Sequence, residues 1–185
     1  MTKSAPDELP LGQSVILLLA QGLGSGRMPV APGTWGSLVG IGWTWALLST
    51  GSLGWYVAGS VVLLAMAVPI CGAAEKILGK ADPGSVVLDE IAAMPWCFLP
   101  VVVMEVLLRG ALTPVAHFGS WPVGLGLAAG FGLFRLLDIW KPGPIGVAQR
   151  LPGGLGVVAD DFFAALATAL VLPWLGVAAQ KLVGA

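Results

Sequence analysis

The chain has 185 residues, of which 57% are hydrophobic and only 10% charged, with a formal net charge of −1. A soluble domain carries about 25% charged residues, so this chain cannot cover a water-facing surface and reads as one domain, 1–185, clothed largely in lipid. The near-neutral charge excludes recruitment of nucleic acid by bulk electrostatics, and Cys71 and Cys97 sit in apolar runs without the spacing of a disulfide framework or zinc site.

Residues 1–10 form a polar N-terminal tail, and the run after them lacks the pattern of a cleavable signal. Leu11–Ala20 is too short to cross a bilayer and predicts an interfacial or re-entrant helix. A glycine-rich polar stretch, Gly22–Ser37, precedes a second short apolar run, Leu38–Ser49. Trp55–Ala74 is the best spanning helix by length. The polar stretch Glu75–Glu90 leads into the span Ile91–Leu108, which Pro95 and Pro100 should kink. After an outer connection, Gly110–Pro122, comes the span Val123–Asp138. A third polar stretch, Asp138–Asp161, leads into the last span, Phe162–Val177. Tryptophans gather near segment ends, as an aromatic belt places them. The expectation is an all-α, polytopic membrane helical bundle with about four spanning helices plus short re-entrant or interfacial ones.

If Leu38–Ser49 crosses, an even number of crossings separates the three polar stretches, and all emerge on one side. That side carries Arg27, Lys76, Lys80, Lys141 and Arg150, whereas the opposite connections hold Arg109 and little else. Excess Lys and Arg marks the cytoplasmic side. His117, the single histidine, falls on the outer side and is not expected to act in catalysis.

Besides Glu75 at its start, the second stretch and the third gather six of the ten acidic residues, Asp82, Asp89, Glu90, Asp138, Asp160 and Asp161. One acid per helix is explained by an N-terminal cap and the helix dipole. Two adjacent pairs plus Asp138 are explained better by a divalent cation, because like charges this close repel one another. Oxygen donors without His or Cys point to Mg2+ or Mn2+ rather than zinc, with Asp89, Glu90, Asp160 and Asp161 as candidate ligands. Neighbouring residues on a helix point about 100° apart, so one acid of each pair faces the metal and the other bonds a backbone N–H, a base or a second ion.

Gly24, Ser25, Gly26, Thr34 and Ser37 suit a phosphate cradle of backbone N–H groups and a helix start; an ordinary turn is the alternative. Arg27 would bind the phosphate or a lipid head group. Arg135 and Asp138, three apart, form either a local ion pair or a functional pair, with Asp138 on metal or water and Arg135 or Lys141 on phosphate. A cation-coupled transporter is the rival class, but it would place acids mid-span, whereas these lie at span ends.

The runs GSGRMPVAPGTWGSL (Gly24–Leu38), DPGSVVLDEIAAM (Asp82–Met94), FRLLDIWKPGPI (Phe134–Ile145) and GGLGVVADDFFAA (Gly153–Ala165) resemble, in order and spacing, the four motifs of the phosphatidylglycerophosphatase A family. Pro152 departs from the pattern, standing where a histidine is expected, so the chemistry must run without one. The resemblance implies a Mg2+-dependent hydrolase in the bacterial inner membrane that removes the terminal phosphate of phosphatidylglycerophosphate. Matched by position, its functional residues are Asp82, Asp89, Glu90, Asp138, Lys141, Asp160 and Asp161. Attack by water and an aspartyl-phosphate intermediate are both open, as is another lipid-phosphate hydrolase or transferase. The Cys-x5-Arg, Asp-x-Asp and histidine-based phosphatase patterns are absent.

Overall fold

The computed structural model describes residues 9–112 and 121–183; His117 and most of the expected outer connection lie outside them. The elements are α1 (Leu11–Ala20), a tight double turn (Gly22–Arg27), α2 (Pro32–Leu48), α3 (Leu53–Leu78), α4 (Leu88–Arg109), α5 (Trp121–Trp140), α6 (Pro144–Ala148) and α7 (Gly154–Val183). No strand occurs among the described residues, so the all-helical expectation holds. Among the described residues three helices are long and apolar enough to cross a membrane: α3, α4 and the Gly154–Gly176 part of α7. At 1.5 Å per residue, α3 is about 39 Å long. The third expected span, Val123–Asp138, lies within α5, and α1 is the short apolar helix foreseen at Leu11–Ala20.

Local chemistry sets the helix ends. The Ser52 hydroxyl accepts from Trp55 N–H to open α3, and Gly79 closes it in the left-handed conformation. Gly110 closes α4 in the same way. Pro95 and Pro100 lie within α4, which runs through them as one helix; the Tyr56 hydroxyl on α3 donates to the Pro95 carbonyl at 2.6 Å.

Two helix starts differ from the sequence reading. Helix α2 begins at Pro32, ahead of the apolar run at Leu38, and Thr34 and Ser37 stand in its first turns, at a helix start as expected. Helix α7 begins at Gly154, not near Phe162, so Asp160 and Asp161 lie inside the helix instead of leading into it. The glycines that suggested a loop serve packing instead. A Cβ at Gly154 would collide with the Val68 carbonyl and crowd Gly72, so α7 crosses α3 nearly backbone to backbone. Gly40 likewise lets α2 approach Ile91 and Met94 of α4.

Helix α4 is the centre of the bundle and packs most extensively on α7 and α2. One core gathers Tyr56, Met94, Phe98 and Phe134, and another gathers Leu17, Ala67, Cys71 and Val157. The outer surface is apolar, with Trp45, Trp55, Trp140 and Trp174 all exposed, as a lipid-facing protein requires. At one end of the bundle the three polar stretches meet. Gly26 abuts the Ser85 carbonyl, Gly36 abuts Val87 and Glu90, and Lys141 reaches Asp160. Arg109 stands at the opposite end of α4 from Asp89.

Candidate active site

Five carboxylates are buried at that end: Asp89, Glu90, Asp138, Asp160 and Asp161. Asp89 and Glu90 occupy the first turn of α4. Asp138 ends α5, and Asp160 and Asp161 come from α7. Two cations serve them. Arg135 Nη1 donates to Glu90 Oε1 at 3.0 Å and to Asp138 Oδ2 at 2.7 Å, tying α4 to α5. Lys141 Nζ donates to Asp160 Oδ2 at 2.5 Å, tying the end of α5 to α7.

Each adjacent pair is therefore split, as the 100° offset requires. Glu90 meets Arg135 of α5, and Asp160 meets Lys141 just past the end of α5. Asp89 and Asp161 make no ion pair among the described residues. The carboxyl of Asp161 has Asp89, Asp138 and Glu90 as its charged neighbours. Glu90 Oε2 and Arg135 Nε are both buried without a hydrogen-bond partner. Unpaired buried charge is costly, so these groups must be neutralised, by protons or by a cation. Asp89, Asp161 and the free Glu90 oxygen are the groups available to a cation, and their all-oxygen chemistry fits a hard ion such as Mg2+. Among the described residues no three of the carboxyl groups stand ready as a ligand set; Glu90 and Asp160 are drawn toward their bases.

Glycines shape this pocket. A Cβ at Gly33 would collide with Glu90 Oε1 and crowd both Nη atoms of Arg135, and one at Gly36 would meet Glu90 Oε2 at 2.5 Å. The first turns of α2 thus form a smooth wall against the Glu90–Arg135 pair. Thr34 lies on that turn, half-buried. Ser37 is fully buried, and its hydroxyl donates back to the Gly33 carbonyl at 2.9 Å. Gly24, Ser25 and Gly26 sit in the double turn, where Ser25 Oγ donates to the Gly22 carbonyl and Gly24 takes φ 106°. Of the residues expected to cradle phosphate, Lys141 and Arg135 are in the carboxylate cluster, Thr34 and Ser37 are on the α2 wall, Gly26 packs beside Ser85, and Gly24 has open space around it.

Asp82 is at the exposed rim. Its N–H donates to Glu75 Oε1 at 2.8 Å, and its Oδ2 accepts from Gln149 Nε2 at 2.8 Å. Glu75 and Gln149 escaped the sequence reading because neither belongs to a charged pair or motif; only the fold brings them to Asp82. Arg27 is exposed, and its Nε donates to Gln21 Oε1 at 2.6 Å. Among the described residues the four non-glycine residues with positive φ, Leu23, Ala31, Asp82 and Lys141, all lie in the three polar stretches. Such backbone strain, about 1–3 kcal/mol each, collects at functional sites.

Lys141 lies beyond α5, and partial burial alone would lower its pKa. The hydrogen bond to Asp160 and the charges of Asp160, Asp138 and Asp82 outweigh that, holding the ammonium above its usual value. Lys141 is therefore a fixed positive charge at neutral pH.

The sequence profile described as phosphatidylglycerophosphatase A matches residues 18–175. The phosphatidylglycerophosphatase A of Escherichia coli K12 is 36% identical over 162 residues, covering 86% of this chain and 82% of the relative. That of Haemophilus influenzae is 32% identical over 158 residues, covering 85% and 86%. A protein of Bacteroides thetaiotaomicron provisionally named phosphatidylinositol-3-phosphatase is 34% identical over 152 residues, covering 80% and 85%. No solved structure matches the chain.

Proposed function

Because this chain belongs to the phosphatidylglycerophosphatase A family, we propose that it hydrolyses the terminal phosphate of phosphatidylglycerophosphate, in the bacterial inner membrane with its site at the cytoplasmic face. The observation that carries the chemistry is the buried five-carboxylate cluster, which among the described residues has only Arg135 and Lys141 as counter-charges. The excess of Lys and Arg at that end of the bundle supports the orientation.

Asp89, Asp161 and Glu90 would hold Mg2+, with Asp160 joining them once it is released by Lys141. Bound there, the ion would offset phosphate charge and acidify water. The chain's own groups supply the rest. Lys141, permanently charged, stabilises the phosphoryl oxygens as charge builds in the transition state. Asp138, held by Arg135 and set against Asp161, orients the attacking water and takes its proton. The water oxygen bonds to phosphorus as the phosphorus–glycerol oxygen bond breaks, and the proton passes on to the products. Arg135, committed to Glu90 and Asp138, positions them rather than gripping phosphate. The apolar surface around the mouth keeps the acyl chains in lipid while the head group reaches the carboxylates.

Phosphate release by the purified protein in neutral-detergent micelles tests this. Turnover of phosphatidylglycerophosphate should stop with EDTA and return with Mg2+. Phosphatidylinositol 3-phosphate is the comparison substrate, since one relative bears that activity in its name. Faster turnover of that lipid would replace the assigned head group. Undiminished turnover in EDTA, or near-normal turnover by both Asp89→Asn and Asp161→Asn, would refute the metal site.

A further inference from the structure

Phosphatidylglycerophosphate carries two phosphates, a terminal monoester and a phosphodiester nearer the acyl chains. The carboxylate cluster with Lys141 accounts for the monoester. The phosphodiester remains a negative charge beside an acid-rich pocket, and it needs a cation at the depth of the lipid head groups.

Several bases lie at this end. Arg135 and Lys141 are bonded to carboxylates. Lys76, Lys80 and Arg150 are exposed, and no side-chain hydrogen bond fixes them among the described residues. Arg27 differs. Its Nε is bonded to Gln21 Oε1 at 2.6 Å, and Gln21 is itself buried, with its Nε2 3.4 Å from Ser85 Oγ. That anchors the guanidinium to the segment Ser85–Val87, which leads directly into Asp89 and Glu90. The anchor is built: Val87 N–H donates to the Ala20 carbonyl at 2.9 Å, and Gly26 fits against the Ser85 carbonyl with no space for a Cβ.

The bond uses only Nε, and no carboxylate lies within ion-pair distance of Arg27 among the described residues. Both Nη groups are left for a planar, two-point contact with an anion, which suits a phosphate. The depth is set by neighbours. Leu23 is 73% exposed, Met28 40% and Val30 74%. In a lipid-clothed protein these apolar side chains meet acyl chains, so an arginine among them must present its head at the head-group layer.

We propose that Arg27, aimed by Gln21, is a second phosphate subsite that takes the phosphodiester of the lipid substrate. This rests on the lipid-phosphatase reading above and adds to it a binding residue, Arg27, and a positioning residue, Gln21. Gln21 acts only through the arginine. The pair would make the enzyme prefer lipids whose monoester and diester are separated by a short polyol.

The test uses the full chain in dodecyl maltoside micelles, where the substrate brings the sole phosphodiester. Arg27→Ala should raise the surface KM about tenfold or more, as loss of a charge-assisted hydrogen-bonded contact does, with kcat within threefold of wild type. Gln21→Leu should raise KM by a smaller factor, and Arg27→Lys should fall between Arg27→Ala and wild type. Inhibition by phosphatidylglycerol, which has only the diester, should weaken in Arg27→Ala, whereas inhibition by inorganic phosphate should stay within twofold. An unchanged KM, or a fall in kcat alone, overturns the subsite. So does a defect that emerges only after phosphatidylserine is added, since Arg27 would then be holding bulk anionic lipid. A wild-type protein without turnover overturns the assigned activity; turnover with an unaffected Arg27→Ala overturns the subsite alone.

Discussion

Removing Asp161, one of the carboxylates proposed to hold the metal, should make the metal-free protein more stable even as turnover is lost. Asp161 is buried, has no base among its partners, and faces Asp89, Asp138 and Glu90. Asp161→Asn keeps the shape and, at a pH where the carboxyl is ionised, removes one of the excess negative charges. For like charges about 5–8 Å apart at an effective dielectric near 20, each repulsion is worth about 2–3 kcal/mol. Relief of one such contact should raise the melting temperature of the metal-free protein by about 4–12 °C, at about 2–4 °C per kcal/mol for a chain of this size. Arg135→Gln should do the opposite. It strips Glu90 and Asp138 of their shared partner, and an uncompensated buried charge costs about 3–5 kcal/mol. Thermal unfolding in detergent, with EDTA and then with Mg2+, reads both effects. Magnesium at about a hundred times its dissociation constant should stabilise the wild type by about 2.7 kcal/mol and Asp161→Asn by well under half of that. If Asp161→Asn melts lower than wild type in EDTA, or keeps the full magnesium shift, the charge reasoning fails.

Gly33→Ala should lower kcat about 10–100-fold without unfolding the protein, because its Cβ collides with the Glu90–Arg135 pair and small displacements of catalytic groups carry penalties of that order. Gly42→Ala, on the same helix with open space around it, is the control and should keep turnover within twofold. Lys141→Met should reduce kcat by about 10²–10³-fold while phosphatidylglycerophosphate still binds, since its charge acts on the transition state; equal losses in binding and turnover would contradict that role. Gly154→Ala should cost about 1–3 kcal/mol of stability by overpacking the α3–α7 crossing, measured as resistance to unfolding in sodium dodecyl sulfate.

The membrane class and the convergence of acids were legible because both are written in residue type. Hydropathy marks apolar helices at any bilayer depth, and Asp89, Glu90, Asp138, Asp160 and Asp161 stand out in a chain this poor in charge. Glycine was the ambiguous residue. In Gly22–Arg27 it makes the turn it suggests, with Gly22 and Gly24 at positive φ. In Gly33, Gly36 and Gly154 it lies inside helices, and its purpose is the missing side chain, which lets Glu90 or Gly72 come close. Sequence pattern does not separate these uses, so α2 and α7 both start earlier than the glycine-rich runs indicated. Gln149, Glu75 and Gln21 were hidden for a different reason. Each is an unremarkable polar residue locally, and each gains a role only from a partner brought in by the fold.

The two acidic pairs show why neither ion pairing nor helix capping alone accounts for them. A single buried acid with a base is neutral and inert, as Asp160 with Lys141 would be in isolation. A single acid at a helix start is a cap. Adjacent acids on one helix cannot both turn to the same base, because their side chains diverge by about 100°. One partner therefore anchors the helix to its neighbour, through Arg135 or Lys141, and the other is forced toward the opposite helix, where it meets its counterpart. Anchoring α4 by Glu90 fixes Asp89, and anchoring α7 by Asp160 fixes Asp161. The bases thus create the un-neutralised pair by holding the helices that carry it, and that pair is where a cation and a phosphate can be brought together.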